Sequence, residues 1–256
     1  MLKVRIIPTL LWKGLGLVKG IAFDSWRRVG TVLPAVKVYN TRDVDELILV
    51  DITASLEKAA PDHESVSDLS DACSVPMTVG GGIVDLDQIT RLLRAGADKV
   101  SINSAAFETP DLVDRAARRF GSQCIVLSID ARLGADGAYE CFSHAGTRPT
   151  GRDPVAWARE AQARGAGEIL LTSVERDGTM EGYDLRLVES VARAVDIPVI
   201  ASGGAGNYQH MVEVVRDAGA SAVAAASIFH FTEQTPAGAR SALRRAGIPA
   251  RMDFVT

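Results

Sequence analysis

The sequence is poor in the residues that mark several large functional classes. Its 256 residues include three cysteines, Cys73, Cys124 and Cys141, and four histidines. The cysteines are too few and too irregularly spaced for a disulfide framework or a metal knuckle. His63, His210 and His230 have no partner spacing and are given no role; no metal-ligand cluster is read, and no cofactor is expected. An odd, sparse cysteine set fits a reducing compartment, and the expected location is the cytoplasm. Positive charge is scarce as well: 28 Lys and Arg stand against 32 Asp and Glu, a net charge of −4. That balance argues against a nucleic-acid groove, because phosphate backbones attract basic surfaces. No run of about 18 apolar residues occurs, and residues 1–8 lack the charged-then-apolar-then-small order of a signal peptide. No membrane association is expected. Aromatics make up 5% of the chain. The apolar content is carried by Ala, Val, Leu and Ile, which suit parallel strands covered by helices.

What is present is an alternation of short apolar runs with longer segments of helical period. Strands are expected at residues 5–11, 46–52, 77–79, 99–102, 124–129, 168–172, 199–201 and 222–225. Helices are expected at 86–95, 110–120, 154–164, 185–195 and 208–218, where apolar residues recur at three and four. This is the economy of a (β/α)₈ barrel, an α/β fold, read here as one domain over residues 1–256. A doubly wound open sheet is the competing architecture. The least regular stretches, 12–31 and 132–152, read as long loops over the active face.

An internal repeat favours the barrel. Residues 95–104 (AGADKVSINS) match 218–227 (AGASAVAAAS), and 75–82 (VPMTVGGG) match 197–204 (IPVIASGG). Residues 5–11 (RIIPTLL) line up with 124–130 (CIVLSID), which sets Leu11 opposite Asp130. Two half-barrels of four β/α units explain all three matches.

The repeat also carries the chemistry. Gly81–Gly82 and Gly203–Gly204 follow the third and seventh expected strands, where backbone N–H groups can approach a phosphate. Asn103-Ser104 and Ser227 follow the next strands and open helices, which adds free N–H groups and hydroxyls. Two phosphate sites on opposite sides of one mouth are therefore expected. Tight turns are the structural alternative. Asp51, Asp130 and Asp177 fall near the C-terminal ends of strands, the catalytic face of such barrels. Asp130 closes an apolar run and is expected to act as an acid or base of raised pKa; caps or loop bonds are the alternative for all three. Lys19 is expected in the first loop, folding over a phosphate as a mobile cation or simply solvated. His144 offers at most a hydrogen bond. At the other end Arg5, Glu46, Lys99 and Glu168 start four strands and read as a stabilising ion ring or as a gate on an axial passage.

These residues together resemble the cyclase subunit family of imidazole glycerol phosphate synthase, over nearly the whole chain. The stretches that carry the likeness include 51–55 (DITAS), 78–83 (TVGGGI), 99–106 (KVSINSAA), 165–173 (GAGEILLTS) and 176–179 (RDGT). The resemblance implies a glutaminase partner whose ammonia passes up the barrel. There it reacts with a phosphoribulosyl-formimino carboxamide ribonucleotide, giving imidazole glycerol phosphate and an aminoimidazole carboxamide ribotide. It implies that Arg5, Glu46, Lys99 and Glu168 form the ammonia gate and that Asp98 and Gln123 face the glutaminase. Thr172 and Gly178 join Lys19, Asp51 and Asp177 in the substrate site. The family uses two aspartates, and Leu11 stands where the first is expected. Leucine cannot transfer a proton, so slower cyclase turnover is expected unless Asp51 or Asp177 substitutes or the substrate needs one group. The apolar loop at 10–19, with 29–30 and 35–40, is similar to a paralogous branch. That branch is linked to amidine formation on nucleotide-activated sugars, where a barrel activates a glutaminase and passes ammonia to a separate amidotransferase. A stand-alone phosphosugar isomerase shares the half-barrel plan but has no use for the ion ring.

Overall fold

A computed structural model of the chain describes residues 3–14 and 16–252. Met1, Leu2 and Leu15, which fall in stretches read above, lie outside the described residues, as do 253–256. The strands are β1 (Arg5–Lys13), β2 (Gly16–Ile21), β3 (Asp24–Gly30), β4 (Leu47–Asp51), β5 (Met77–Gly80), β6 (Lys99–Ile102), β7 (Ile125–Leu133), β8 (Tyr139–Ser143), β9 (Arg148–Pro149), β10 (Glu168–Ser173), β11 (Val199–Ser202) and β12 (Ala222–Ala225). The parallel set β1-β4-β5-β6-β7-β10-β11-β12 closes on itself, because β1 pairs with β12 as well as β4 and β7 with β10 as well as β6. This closed barrel with intervening helices is the (β/α)₈ fold, and closure rules out the open doubly wound sheet.

Helices form where the period of three and four placed them: Leu86–Arg94, Asp111–Phe120, Pro154–Ala163, Leu185–Ala192 and Tyr208–Arg216. Four of these begin on a side-chain cap. Asp85, Asp153, Asp184 and Asn207 accept the N–H of Gln88, Ala156, Leu187 and His210. Each such cap contributes about 1 kcal/mol and fixes where a β-to-α connection turns. Among the described residues no helix is long and apolar enough to cross a membrane.

The two stretches expected as loops are largely strands. β1 runs past the rim and continues as an antiparallel ribbon with β2 and β3. β7 likewise runs on to Leu133 and pairs with β8, which pairs with β9. Asp130 therefore does not end its strand. The chain reverses at Gly14 (φ 55°) and Gly137 (φ 81°), a conformation that glycine adopts without strain. Register shifts interrupt the β2–β3 pairing, and most of β3 is exposed. Its side chains consequently lack the apolar alternation that marks a half-buried strand.

Alternation along the barrel strands sorts side chains into an outer core under the helices and an inner column. Ile7, Ile48, Val126, Leu170, Ile200, Ala222 and Ala224 form a separate buried cluster, the plug of the barrel. Each of its larger side chains contributes roughly 2 kcal/mol by leaving water. Below the plug lies the ion ring, and above it lies a pocket. The half-barrel repeat holds in register: Leu11 pairs with Val50 as Asp130 pairs with Thr172, and Thr9 with Ile48 as Ser128 with Leu170.

Candidate active site

The pocket opens at the C-terminal ends of the strands. Asp51, Gly81, Gly82, Asn103, Ser104, Asp130, Thr172, Asp177, Gly178, Gly203, Gly204 and Ser227 all line it, as does Leu11. Leu11, Val50 and Ile52 bring apolar side chains from β1 and the β4 end, beside Thr9 and Asp51, while Asp130, Thr172 and Asp177 come from β7 and the β10 end.

The paired glycines take left-handed conformations, with φ 106° at Gly81 and 89° at Gly203. A β-carbon at Gly81 would collide with the Asp51 carbonyl oxygen, and one at Gly203 with that of Ser173. Close packing against the neighbouring strand end thus requires glycine here with or without a ligand. Beyond the strand ladders, the hydrogen bond described from these N–H groups is a long one, Gly82 N to Ser55 Oγ at 3.4 Å. Ser104 and Ser227 open the helices Ser104–Glu108 and Ser227–Phe231 beside the two glycine pairs. Ser104 Oγ accepts the His144 N–H at 2.9 Å, which draws the β8–β9 turn onto that side of the mouth.

Asp130 is 8% exposed, and its Oδ2 accepts Asn103 Nδ2 at 3.0 Å. Burial first, and the charge of Asp177 second, push its pKa up to about 7, with Arg132 opposing. Burial pushes Asp177 up to about 6 against the pull of Lys19. Asn103 Oδ1 and Thr9 Oγ1 are buried without a hydrogen-bond partner, two polar atoms left for something in the pocket to satisfy.

Lys19 corrects the expectation of a mobile loop cation. It lies on β2, is 2% exposed and does not line the pocket. Its Nζ donates to Thr9 O at 3.1 Å, and burial lowers its pKa to about 8 against the field of Asp177. The β2–β3 ribbon instead brings Phe23 and Trp26 to the pocket. No periodicity in the sequence marks either aromatic as a pocket residue, because the β2–β3 pairing is interrupted and β3 is mostly exposed. The hydroxyls of Thr9, Ser101 and Ser128 also line it. Counting every second residue inward from Arg5, Lys99 and Asp130 finds them.

At the opposite end Arg5 Nη1 meets Glu46 Oε2 at 2.6 Å, and Lys99 Nζ meets Glu46 Oε1 at 2.9 Å and Glu168 Oε2 at 3.0 Å. Arg5 Nη2 closes the circle on Glu168 Oε1, and Thr78 Oγ1 donates to Glu46 at 3.0 Å. Asp98 and Gln123 are exposed at the same end. The Asp98 carboxylate is already engaged by the Met77 N–H at 2.8 Å. Among the described residues no group of His, Cys, Asp and Glu could hold a metal ion.

Residues 5–235 match the profile of a family described as histidine biosynthesis protein. The chain belongs to that family. Imidazole glycerol phosphate synthase subunit HisF of Hyphomonas neptunium is 51% identical to it over 251 residues, 98% of this chain and 99% of that protein. The cyclase-subunit family read from the motifs is therefore the family found, and the family match spans both the ion ring and the pocket.

Proposed function

We propose that this chain is an ammonia-using synthase subunit of the imidazole glycerol phosphate synthase type. It takes a substrate with a phosphate at each end and receives ammonia from a glutaminase seated on the N-terminal face. The observation that carries the reading is the stack along one axis: ion ring, narrow apolar plug, then a pocket with buried Asp130 between two equivalent glycine–serine cradles. The name of the 51% identical relative supports it. Arg5, Glu46, Lys99 and Glu168 act as the gate, Asp98 and Gln123 belong to the docking face, and Asp130 moves a proton on the substrate. Soluble placement in the cytoplasm suits such a subunit.

Two results test the pocket. Inorganic phosphate should occupy two sites in a soaked crystal, one at Gly82, Asn103 and Ser104, the other at Gly204 and Ser227. Ser104→Ala and Ser227→Ala should each weaken one site by about 1 kcal/mol, roughly fivefold; density at neither site removes the cradles. With ammonium salts and the phosphoribulosyl-formimino carboxamide ribonucleotide, the protein should release imidazole glycerol phosphate.

One observation favours a second reading. Leu11 holds the register equivalent of Asp130, so the first half-barrel brings no carboxylate to that position. On this reading the chain is a cyclase-deficient paralogue that activates a glutaminase and conducts ammonia to a separate amidotransferase, as in acetamidino-sugar formation. It predicts stimulated glutaminase activity and no cyclised product at any ammonium concentration.

A further inference from the structure

Asp130 brings one proton-transfer group into the pocket, and its counterpart Leu11 brings none. Two other carboxylates line the same pocket, and their surroundings separate them. Asp51 Oδ1 accepts from Thr53 N at 2.9 Å, Thr53 Oγ1 at 3.0 Å and Ala54 N at 3.1 Å. Three donors thus tie its Oδ1 to the turn before the helix Ala54–Glu57, whose N-cap is Thr53. Asp177 is held through its backbone instead. Its N–H donates to Ser173 O at 3.1 Å, and its carbonyl accepts the Ala22 N–H at 2.9 Å. No hydrogen bond among the described residues ties its carboxylate, which faces the pocket in the field of both Asp130 and Lys19.

We infer that Asp177 is the second proton-transfer group of this pocket, taking the part of the carboxylate absent at residue 11, with Lys19 as its positioning residue. The inference rests on the acid–base reading of the pocket given above. The ribbon that carries Lys19 is docked on the Asp177 turn. Besides the Ala22–Asp177 bond, Gly178 lies so close to Gly20 O that a β-carbon there would collide with it. Lys19 is thereby enclosed, with a short tether to Thr9 O, and its charge acts on Asp177 without filling the pocket.

The groups around the pair are few. Asp130 and Arg132 act from β7, Lys19 from β2, and His230 faces Lys19 from the helix Ser227–Phe231. Burial, with Lys19 and Arg42 adding to it, lowers His230 to about 4, so it is neutral near pH 7. With Asp130 near 7 and Asp177 near 6, the two carboxylates hold about one proton between them at a pH between those two values. One takes a proton from the substrate while the other gives one up. The pair ends each turnover with the proton count it began with, and no further reactant is needed.

Asp177→Asn is the test, read in two ways. With the bisphosphorylated substrate and ammonium, kcat should fall by about 10²–10⁴ while KM changes by less than about threefold. Leu11→Asp added to Asp177→Asn should recover at least tenfold of that loss, on the order expected when a positioned acid–base group returns. Lys19→Met should move the acid limb of the kcat profile to higher pH, because a carboxylate that loses its cation holds its proton more tightly. Lys19→Arg should move it back. The second reading needs no substrate. In protein carrying carbon-13 aspartate carboxyls, Asp177→Asn should lower the titration midpoint of Asp130 by removing a like charge. A midpoint that does not move, or a kcat loss under about threefold, overturns the inference. Absence of product from the unmodified protein with a shifted midpoint would instead count against the proposed reaction.

Discussion

Asp130→Asn is expected to leave the protein nearly inactive and, above pH 8, more stable than the unmodified chain. Both effects come from one placement. The carboxyl is 8% exposed and receives one side-chain hydrogen bond, from Asn103, and its pKa stands near 7 against about 4 in an unfolded chain. A raised folded value means that the neutral acid is the form the fold prefers. The stabilisation is fully present below pH 4 and is lost as pH rises through about 7. The three-unit difference corresponds to about 4 kcal/mol, an upper figure because the mouth of the pocket is open to water. Asparagine keeps an acceptor for Asn103 and never ionises. Its Tm at pH 8 should exceed that of the unmodified protein by roughly 5–15 °C, and the gain should vanish at pH 4. The lost acid–base group should lower kcat by about 10²–10⁴. Equal Tm values at pH 8 would show that residue 130 is not desolvated as described.

The ion ring gives the second large effect. Glu46 and Glu168 are 2% and 5% exposed, and each bridges both cations. Arg5 stays charged because the two glutamates outweigh the cost of its burial, and its pKa is raised. Glu168→Gln removes one anion and leaves two cations sharing Glu46. Breaking a buried pair of this kind costs about 3–5 kcal/mol, which at this chain length lowers Tm by roughly 10 °C. If the ring is the gate, glutamine-driven product formation should fall at least tenfold with glutaminase present, the order of an effect of about 1.4 kcal/mol on a barrier. Ammonium-driven formation should be nearly kept. Equal losses with both nitrogen sources would reduce the ring to a structural clamp.

How far the sequence carries this picture varies by element. The bounds of β6 and β12 follow from it to the residue, since each is a short apolar run between a turn and a helix start. The ring follows too, because charges at strand starts with a fixed inward phase can meet only inside a closed barrel. The equivalence of Leu11 and Asp130 is legible from the repeat and holds in register. The β2–β3 ribbon is not. Its pairing is interrupted and β3 is mostly exposed, so its residues carry no period. Lys19 therefore looks like a solvated loop cation when the strand in fact carries it into the protein. The difference between Asp51 and Asp177 is equally hidden. Both are acids near strand ends, and only the third dimension shows that one is tied through Oδ1 to the turn that follows it. Gly81 and Gly203 are a middle case. Their φ values are foreseeable from type, yet the carbonyls that exclude a β-carbon belong to neighbouring strands.

On the proposed function, nitrogen released at the N-terminal face reaches the pocket through the barrel. Glutamine labelled with nitrogen-15 in its side-chain amide, supplied to this chain mixed with the proposed glutaminase partner, tests it most directly. The mixture should also contain the bisphosphorylated substrate and a large excess of unlabelled ammonium. Imidazole glycerol phosphate carrying the label undiluted is the predicted result. Product labelled only in proportion to the mixed ammonia pool, or glutamine hydrolysis with no cyclised product, would contradict it.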